Sequence, residues 1–400
     1  MPASPYRAVL RNRCLPVPTG INALSLSLVL LISLPKPSAR ADGSIDYNFE
    51  DYSETGGRVG VHTQGLIATQ DLPDAFKISA TAINDAIAGA TPTGLPAPAG
   101  SDQVPLAELH DHRKAWETDL SRQIDAVNIS VGYADSREHD YISQGWSLNT
   151  LTDFNEKNTT LLFGVAGHED LAETFYDDPQ LYVKRHSYSA ILGVTQLIDP
   201  RTFVTVNVTW GRDVGYLSDQ YKLVEKDVEL VPGSFFPLVF HENRPDERNS
   251  GDVFVSLNRS YPGLKGALEG SYRFYADTYG VRANTLELKW LQKLGYGLVL
   301  APDFRIHEQS AANFYHYDLN TTDIVPTYTP DPSGPAYSSD YRLSSLLAVT
   351  YGVNLSWKPR DWLKLTLDYS RYNMRGTDSV TPQSAYPQAN IYSAGVQLSW

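Results

Sequence analysis

The residues of this 400-residue chain that can do chemistry are thinly spread, and their spacing argues against a catalytic centre. His307-Glu308 lacks the second histidine that a zinc-binding H-E-x-x-H helix needs, and no G-x-S-x-G elbow occurs. His110-Asp111-His112 has the residue types of a metal pair, but it lies beside the Pro/Ala-rich stretch 95–105, which reads as a solvated loop. His168-Glu169-Asp170 with Glu173, Asp177 and Asp178 makes an acidic loop; such loops either hold Ca²⁺ near lipopolysaccharide or are simply solvated. The single cysteine, Cys14, leaves no disulfide framework and no cysteine-ligated metal site. No catalytic residue, cofactor or metal is therefore expected, and the protein is not expected to be an enzyme.

The other chemistry-bearing residues are charges that alternate with apolar side chains. Glu117, Asp119, Glu269, Glu287 and Asp368, with Lys77, Arg273, Lys289 and Lys364, all sit on the polar side of such alternations. Residues of this kind must be held by strands, because only a strand sends successive side chains to opposite faces. In RTFVTVNVTW, Val204, Val206, Val208 and Trp210 oppose Thr205, Asn207 and Thr209. In WLKLTLDY, Leu363, Leu365, Leu367 and Tyr369 oppose Lys364, Thr366 and Asp368. Several apolar faces end in Tyr or Trp, as an interfacial aromatic girdle requires. The same charges then line a lumen; five acids against four bases is near parity and implies no ion selectivity.

The pattern predicts strands at 45–53, 58–69, 76–86, 114–122, 124–134, 140–153, 158–170, 186–198, 201–213, 250–260, 264–276, 281–293, 296–308, 340–357, 361–373 and 389–400. Links after even-numbered strands are tight, such as Asp199-Pro200 and Pro262-Gly263. Links after most odd-numbered strands are long, namely 87–113, 171–185, 214–249, 309–339 and 374–388. Short turns at one end and long loops at the other describe an all-β, up-and-down antiparallel transmembrane barrel of about 16 strands (14 to 18), with short periplasmic turns and long extracellular loops. A soluble β-sandwich is the rival, but about 100 residues usually complete one.

The N-terminus carries an address. Arg7, Arg11 and Arg13 precede the apolar run Ile21 to Leu34, and Ala39-Arg40-Ala41 follows as a cleavage site. This is the anatomy of a signal peptide spanning 1–41, leaving 42–400 as a single barrel domain. Fourteen apolar residues are too few for a helical span, which needs about 20. Removing residues 1–41, which hold five bases and no acid, turns a net charge of −13 into −18. That excludes the basic face of a nucleic-acid binder. At the other end, Tyr392, Ala394, Val396, Leu398 and Trp400 alternate to an aromatic terminus, the form of last strand that the barrel assembly machinery of the outer membrane reads.

Asp85 and Pro92 open the 87–113 loop, Asp277 and Gly280 make a tight outer hairpin, and Asp340 and Arg342 begin a strand. Asp85, Asp277, Asp340 and Arg342 form either a binding rim at the pore mouth or ion pairs that hold the loop bases together. Loop 214–249 contains the apolar run Val231 to Phe240, so Phe235, Phe236 and Phe240 are expected to fold inward as a constriction, to touch lipid, to make a homo-oligomer contact, or to pack against the loop's own neighbours.

Six strings carry a resemblance: DAIAGATPTG (Asp85–Gly94), GYLSDQYK (Gly215–Lys222), RPDER (Arg244–Arg248), YRFYADTYG (Tyr272–Gly280), QSAANFY (Gln309–Tyr315) and SSDYRLS (Ser338–Ser344). They resemble a family of Gram-negative outer-membrane barrels of unknown function. The family pattern more often has Pro at the position of Gln220, Trp at that of Tyr279 and Phe at that of Trp400. The resemblance implies the barrel and its place in the cell outer membrane, with lipid and lipopolysaccharide as surroundings, and no activity.

The expected function is a porin-like passive channel for small solutes, gated by loop 214–249 and by loop 309–339. One alternative is a non-conducting barrel whose outer loops bind a partner or a surface polysaccharide. A second is an outer-membrane hydrolase built from lumen-facing Ser, His and Asp.

Overall fold

Alternation dictates strands, and a strand with one greasy and one polar face is stable only where each face finds its own solvent. The computed structural model describes residues 42–174 and 182–400. Residues Asp42–Trp400 form one compact unit. Ala39 and Ala41 of the expected cleavage site, and Asp177 and Asp178, lie outside the described residues.

The first nine strands are β1 (Gly43–Glu54), β2 (Gly60–Leu72), β3 (Phe76–Pro92), β4 (Leu106–Ile124), β5 (Val127–Arg137), β6 (Tyr141–Phe154), β7 (Thr159–Glu173), β8 (Tyr182–Asp199) and β9 (Thr202–Gly215). A separate hairpin, β10 (Leu223–Val231) and β11 (Ser234–His241), interrupts the series. It resumes with β12 (Glu247–Tyr261), β13 (Gly266–Asp277), β14 (Arg282–Gly295), β15 (Leu298–Gln309), β16 (Leu346–Arg360), β17 (Leu363–Gly376) and β18 (Gln388–Ser399). Apart from the hairpin, each strand pairs antiparallel with its sequence neighbours, β9 pairs with β12, and β18 closes on β1. The result is a closed barrel of 16 strands with no free edge.

Register decides which side chains meet lipid. Val208 pairs with Val253, Leu257 with Val204 and Leu288 with Gly270, so apolar residues meet apolar or small ones around the outer wall. Val208, Leu192 and Leu367 are 52%, 63% and 60% exposed, an area that only hydrocarbon can cover without cost. Trp116, Tyr133, Trp146, Tyr188, Trp210 and Tyr392 stand toward the long-loop end, and Trp290, Trp357 and Trp400 toward the other.

The short-loop end is built from left-handed residues. Gly295, Tyr296 and Gly297 take φ of 98°, 52° and 78° between β14 and β15, and a Cβ on Gly297 would sit 2.3 Å from the Lys358 carbonyl oxygen.

Three expectations are corrected. The strand expected from Asp340 starts at Leu346; Tyr341–Leu343 is a single 3₁₀ turn, begun by the Asp340 carboxylate accepting from the Arg342 backbone N–H. The loop expected at 87–113 shrinks to 93–105, because β3 and β4 continue pairing as far as Pro92 and Leu106. Asp85 lies within β3, as the expected strand 76–86 had it, whereas His110, Asp111 and His112 lie within β4 and not in a loop. Loop 214–249 is not irregular: Pro232-Gly233 turns the β10–β11 hairpin.

Candidate functional site

The inward faces and the long loops together make one compartment. Inward positions on β12–β17 run in rows fixed by the ladder. Phe254, Arg273, Thr285 and His307 form one row; Ser256, Ser271, Glu287 and Arg305 form the next; Asn258, Glu269, Lys289 and Asp303 form the third. Two adjoining cavities of ≈ 430 and ≈ 470 Å³ lie against these rows and share Phe254, Ser271, Glu287 and Arg305. Arg305 donates to Glu287 at 2.9 Å, and Arg273 pairs with Asp252 at 3.0 Å.

The structure places Glu117 and Asp119 together on β4, on the face opposite the outward Trp116 and Leu120. β4 stands across the barrel from β14, half the strand order away. Lys364 and Asp368 lie on the inward face of β17, where Asn354 donates to Asp368 at 2.6 Å. The β12–β15 wall is itself mixed, with Asp252, Glu269, Glu287 and Asp303 among Arg273, Lys289 and Arg305, and Glu117 and Asp119 stand on the wall opposite. Asp252, Asp303 and Arg305 were not singled out from sequence, although each alternates with outward Val253, Phe304 or Ile306 and was legible by the same rule.

Elsewhere the wall is made wide by small residues. A Cβ on Gly164 would meet the Asn149 side-chain oxygen at 2.3 Å, and one on Gly193 would meet that of Asn207 at 2.3 Å. These asparagines lie flat over the glycines of the next strand, and do not point across the lumen.

The extracellular mouth is spanned by loops. From β9 the chain crosses to β3, where Leu223 donates its backbone N–H to Thr93 at 2.8 Å and Lys222 reaches the Pro92 carbonyl. The returning segment pairs Asn243 with Tyr337 through backbone bonds of 2.9 and 2.8 Å. Phe240, Val224, Leu319 and Tyr337 bury a small core here, so hydrophobic packing supports the loops while the barrel lumen stays polar. A second core, of Tyr279, Val281, Ala312, Phe314 and Leu343, fastens loop 310–345 to the β13–β14 turn.

A buried ionic latch ties loop 216–246 to loop 310–345. Arg244 pairs with Glu242 at 2.7 Å and with Asp340 at 2.8 Å; Arg342 pairs with Asp340 at 2.6 Å and with Asp219. Ser338 donates to Glu242. Burial would raise the Asp340 pKa, but the guanidiniums of Arg342 and Arg244 outweigh it and hold the carboxyl well below the ordinary range. For Glu242, which has no exposed surface, burial dominates and pushes the pKa up despite Arg244.

The expected rim residues are all in ion pairs. Asp85 accepts from Arg113 at 2.6 Å, Asp277 from Arg248 at 2.9 Å, and Asp340 and Arg342 belong to the latch. The expected constriction residues divide: Phe235 and Phe236, 64% and 45% exposed, sit at the hairpin tip, whereas Phe240 is buried against the Tyr328 ring at 4.9 Å. The reason is the strand pairing, which joins Phe235 and Phe236 to Glu229 and Val228 near the Pro232-Gly233 turn.

His110 and His112 alternate with Asp111 along β4, so the two histidines share one face of the strand and Asp111 takes the other. Asp111 instead has carboxylate oxygens within 4.8 Å of those of Glu138 and Asp140. Burial, reinforced by Asp111, pushes Glu138 up to about 7. His168 Nδ1 lies 3.0 Å from Asp170, but the Ser187 hydroxyl opposite donates to Asp213 and not to His168.

The sequence matches the family described as "Protein of unknown function (DUF3570)" over residues 22–184 and 176–395. The chain belongs to this family. Like other outer-membrane barrels of known structure, this DUF3570 protein is a closed antiparallel barrel. It is similar to CdiB from Acinetobacter baumannii (9% identity, TM-score 0.49), covering 90% of its own length and 60% of that chain. It is also similar to a bacterial polysaccharide outer membrane secretin (11%, 0.44; 90% and 97% covered). A third similar structure is OmpT of Vibrio cholerae (9%, 0.44; 92% and 99% covered). The DUF3570 chain thus spans less than two thirds of the CdiB chain. No curated protein sequence matches it significantly.

Proposed function

We propose that the protein is a porin-like passive channel of the outer membrane, without catalytic activity, exported by removal of residues 1–41. Small solutes diffuse through the polar lumen, and the latched loops at the mouth set the size limit. The observation that carries this reading is the pair of adjoining cavities against the charged rows of β12–β16. A 16-stranded barrel is wide enough for an aqueous path unless side chains fill it. Proteoliposomes holding the protein should swell in sugars and amino acids up to a sharp size cut-off. No swelling in the smallest solute counts against the channel. N-terminal sequencing of protein from outer membranes should begin at Asp42.

The second reading, a non-conducting barrel that binds a partner through its outer loops, is favoured by the exposed hairpin tip of Leu230, Val231, Phe235 and Phe236. Lipid, lipopolysaccharide or a second copy of the chain are the surroundings such a tip would meet. Deleting residues 231–236 should leave swelling unchanged if the channel reading holds.

A further inference from the structure

The cavity of ≈ 430 Å³ beneath the loops is lined by four arginines: Arg248, Arg273, Arg305 and Arg342. Each has a carboxylate partner, but the partners are unevenly exposed. Asp277 is 0%, Asp340 1% and Asp252 11% exposed at the side chain, whereas Arg248, Arg342 and Arg273 are 30%, 49% and 52% exposed. The negative charge is sunk in the wall and the guanidiniums face the water. Only Glu287, which holds Arg305, is a carboxylate that lines the cavity itself, at 51% exposed.

The ion pairs also leave donors over. A guanidinium has five N–H groups. Arg273 spends one nitrogen, Nη1, on Asp252, and Arg305 spends Nε on Glu287. The orientation of these groups is fixed beforehand. Arg273 stacks on the Phe254 ring at 5.2 Å, and Arg248 on the rings of Tyr279 at 4.9 Å and Tyr275 at 5.9 Å. Fixed forks of N–H donors in a partly desolvated cavity recognise oxyanions bidentately.

We propose that this cavity is a binding site for small polyanionic solutes carrying carboxylate or phosphate groups, held by Arg273 and Arg305 with Arg248 and Arg342 above them. The inference rests on the channel reading for how such a solute arrives, but binding itself does not require conduction. The site lies inside the lumen beneath the loops, so free solutes reach it and bilayer headgroups do not.

The test uses the protein as it is extracted, folded, from outer membranes into detergent. Citrate and inorganic pyrophosphate are titrated by calorimetry at low salt, with glucose as the uncharged comparison. At least one anion should bind with one-to-one stoichiometry, and the tighter of the two names the group the site prefers. Arg273→Gln and Arg305→Gln should each weaken binding about tenfold, the loss of one charge-assisted interaction. Lys157→Gln, in the β6–β7 turn, should change nothing. Arg273→Lys and Arg305→Lys keep the charge but lose the fork, and should fall between. Circular dichroism on each variant separates lost binding from lost folding. If neither anion binds, or the glutamine variants bind as the wild type does, the proposal is overturned. The channel reading is judged separately: conductance without anion binding removes the site and keeps the channel, and anion binding by a silent barrel does the reverse.

Discussion

Asp340 shows how much one side chain can hold together. Its carboxylate is buried beneath the mouth loops and meets two guanidiniums from different segments, Arg244 and Arg342. Removing one partner of a buried pair costs about 3–5 kcal/mol, because the charges left behind stay desolvated. Asp340→Asn should therefore free the loops: backbone amides of 216–246 lose protection in hydrogen exchange while strand amides keep it. Unchanged loop protection would show that packing, not charge, closes the mouth. Glu138 supplies a pH prediction. Its pKa rises from 4.5 to about 7 in the folded protein, chiefly through burial beside Asp111. The folded state then binds the proton more tightly than the unfolded one, so this group's contribution favours folding below pH 4.5 and fades as pH rises to about 7. Thermal melts of Glu138→Gln should show a higher Tm than wild type at pH 8 and no difference at pH 4. An equal Tm at both would remove Glu138 from the account.

At the scale of elements, the strands were legible and the loops were not, for one physical reason. A transmembrane strand faces two solvents, and its side chains record that at every second position: Val204, Val206 and Val208 could face only hydrocarbon if Thr205 and Asn207 face water. Beyond the bilayer that pressure ends. Here Ala86, Ala88 and Ala90 of β3 pair with His112, His110 and Glu108 of β4, a face with no large apolar side chain, so the ends of β3 and β4 read as loop. The β10–β11 hairpin went unread because both its faces are mixed, and its burial comes from Leu319 and Tyr337, distant in sequence. The latch was half legible: Asp340 and Arg342 stood out as a pair, but nothing local announced Glu242 or Arg244 as their partners. The two-solvent rule predicts an asymmetry. Val208→Arg, on the lipid face, should destabilise the folded barrel by about 2–4 kcal/mol, whereas Thr205→Arg, facing the lumen, should cost under about 1 kcal/mol. Urea unfolding in lipid vesicles measures both, and equal costs would contradict the assignment of faces.

The whole molecule divides its tasks by height. The wall supplies a closed polar tube, the β12–β15 side supplies fixed guanidiniums, and loop 216–246 crosses the mouth from β9 to β3 and pairs there with loop 310–345. The central claim is that this tube conducts. Recording single channels from the folded protein in a planar bilayer tests it most directly, with wild type and Asp340→Asn compared under one salt gradient. The account predicts discrete, long-lived steps in the wild type and larger steps in the variant, because the latch narrows the mouth. A silent bilayer from protein shown to be folded and inserted, in wild type and variant alike, would contradict it.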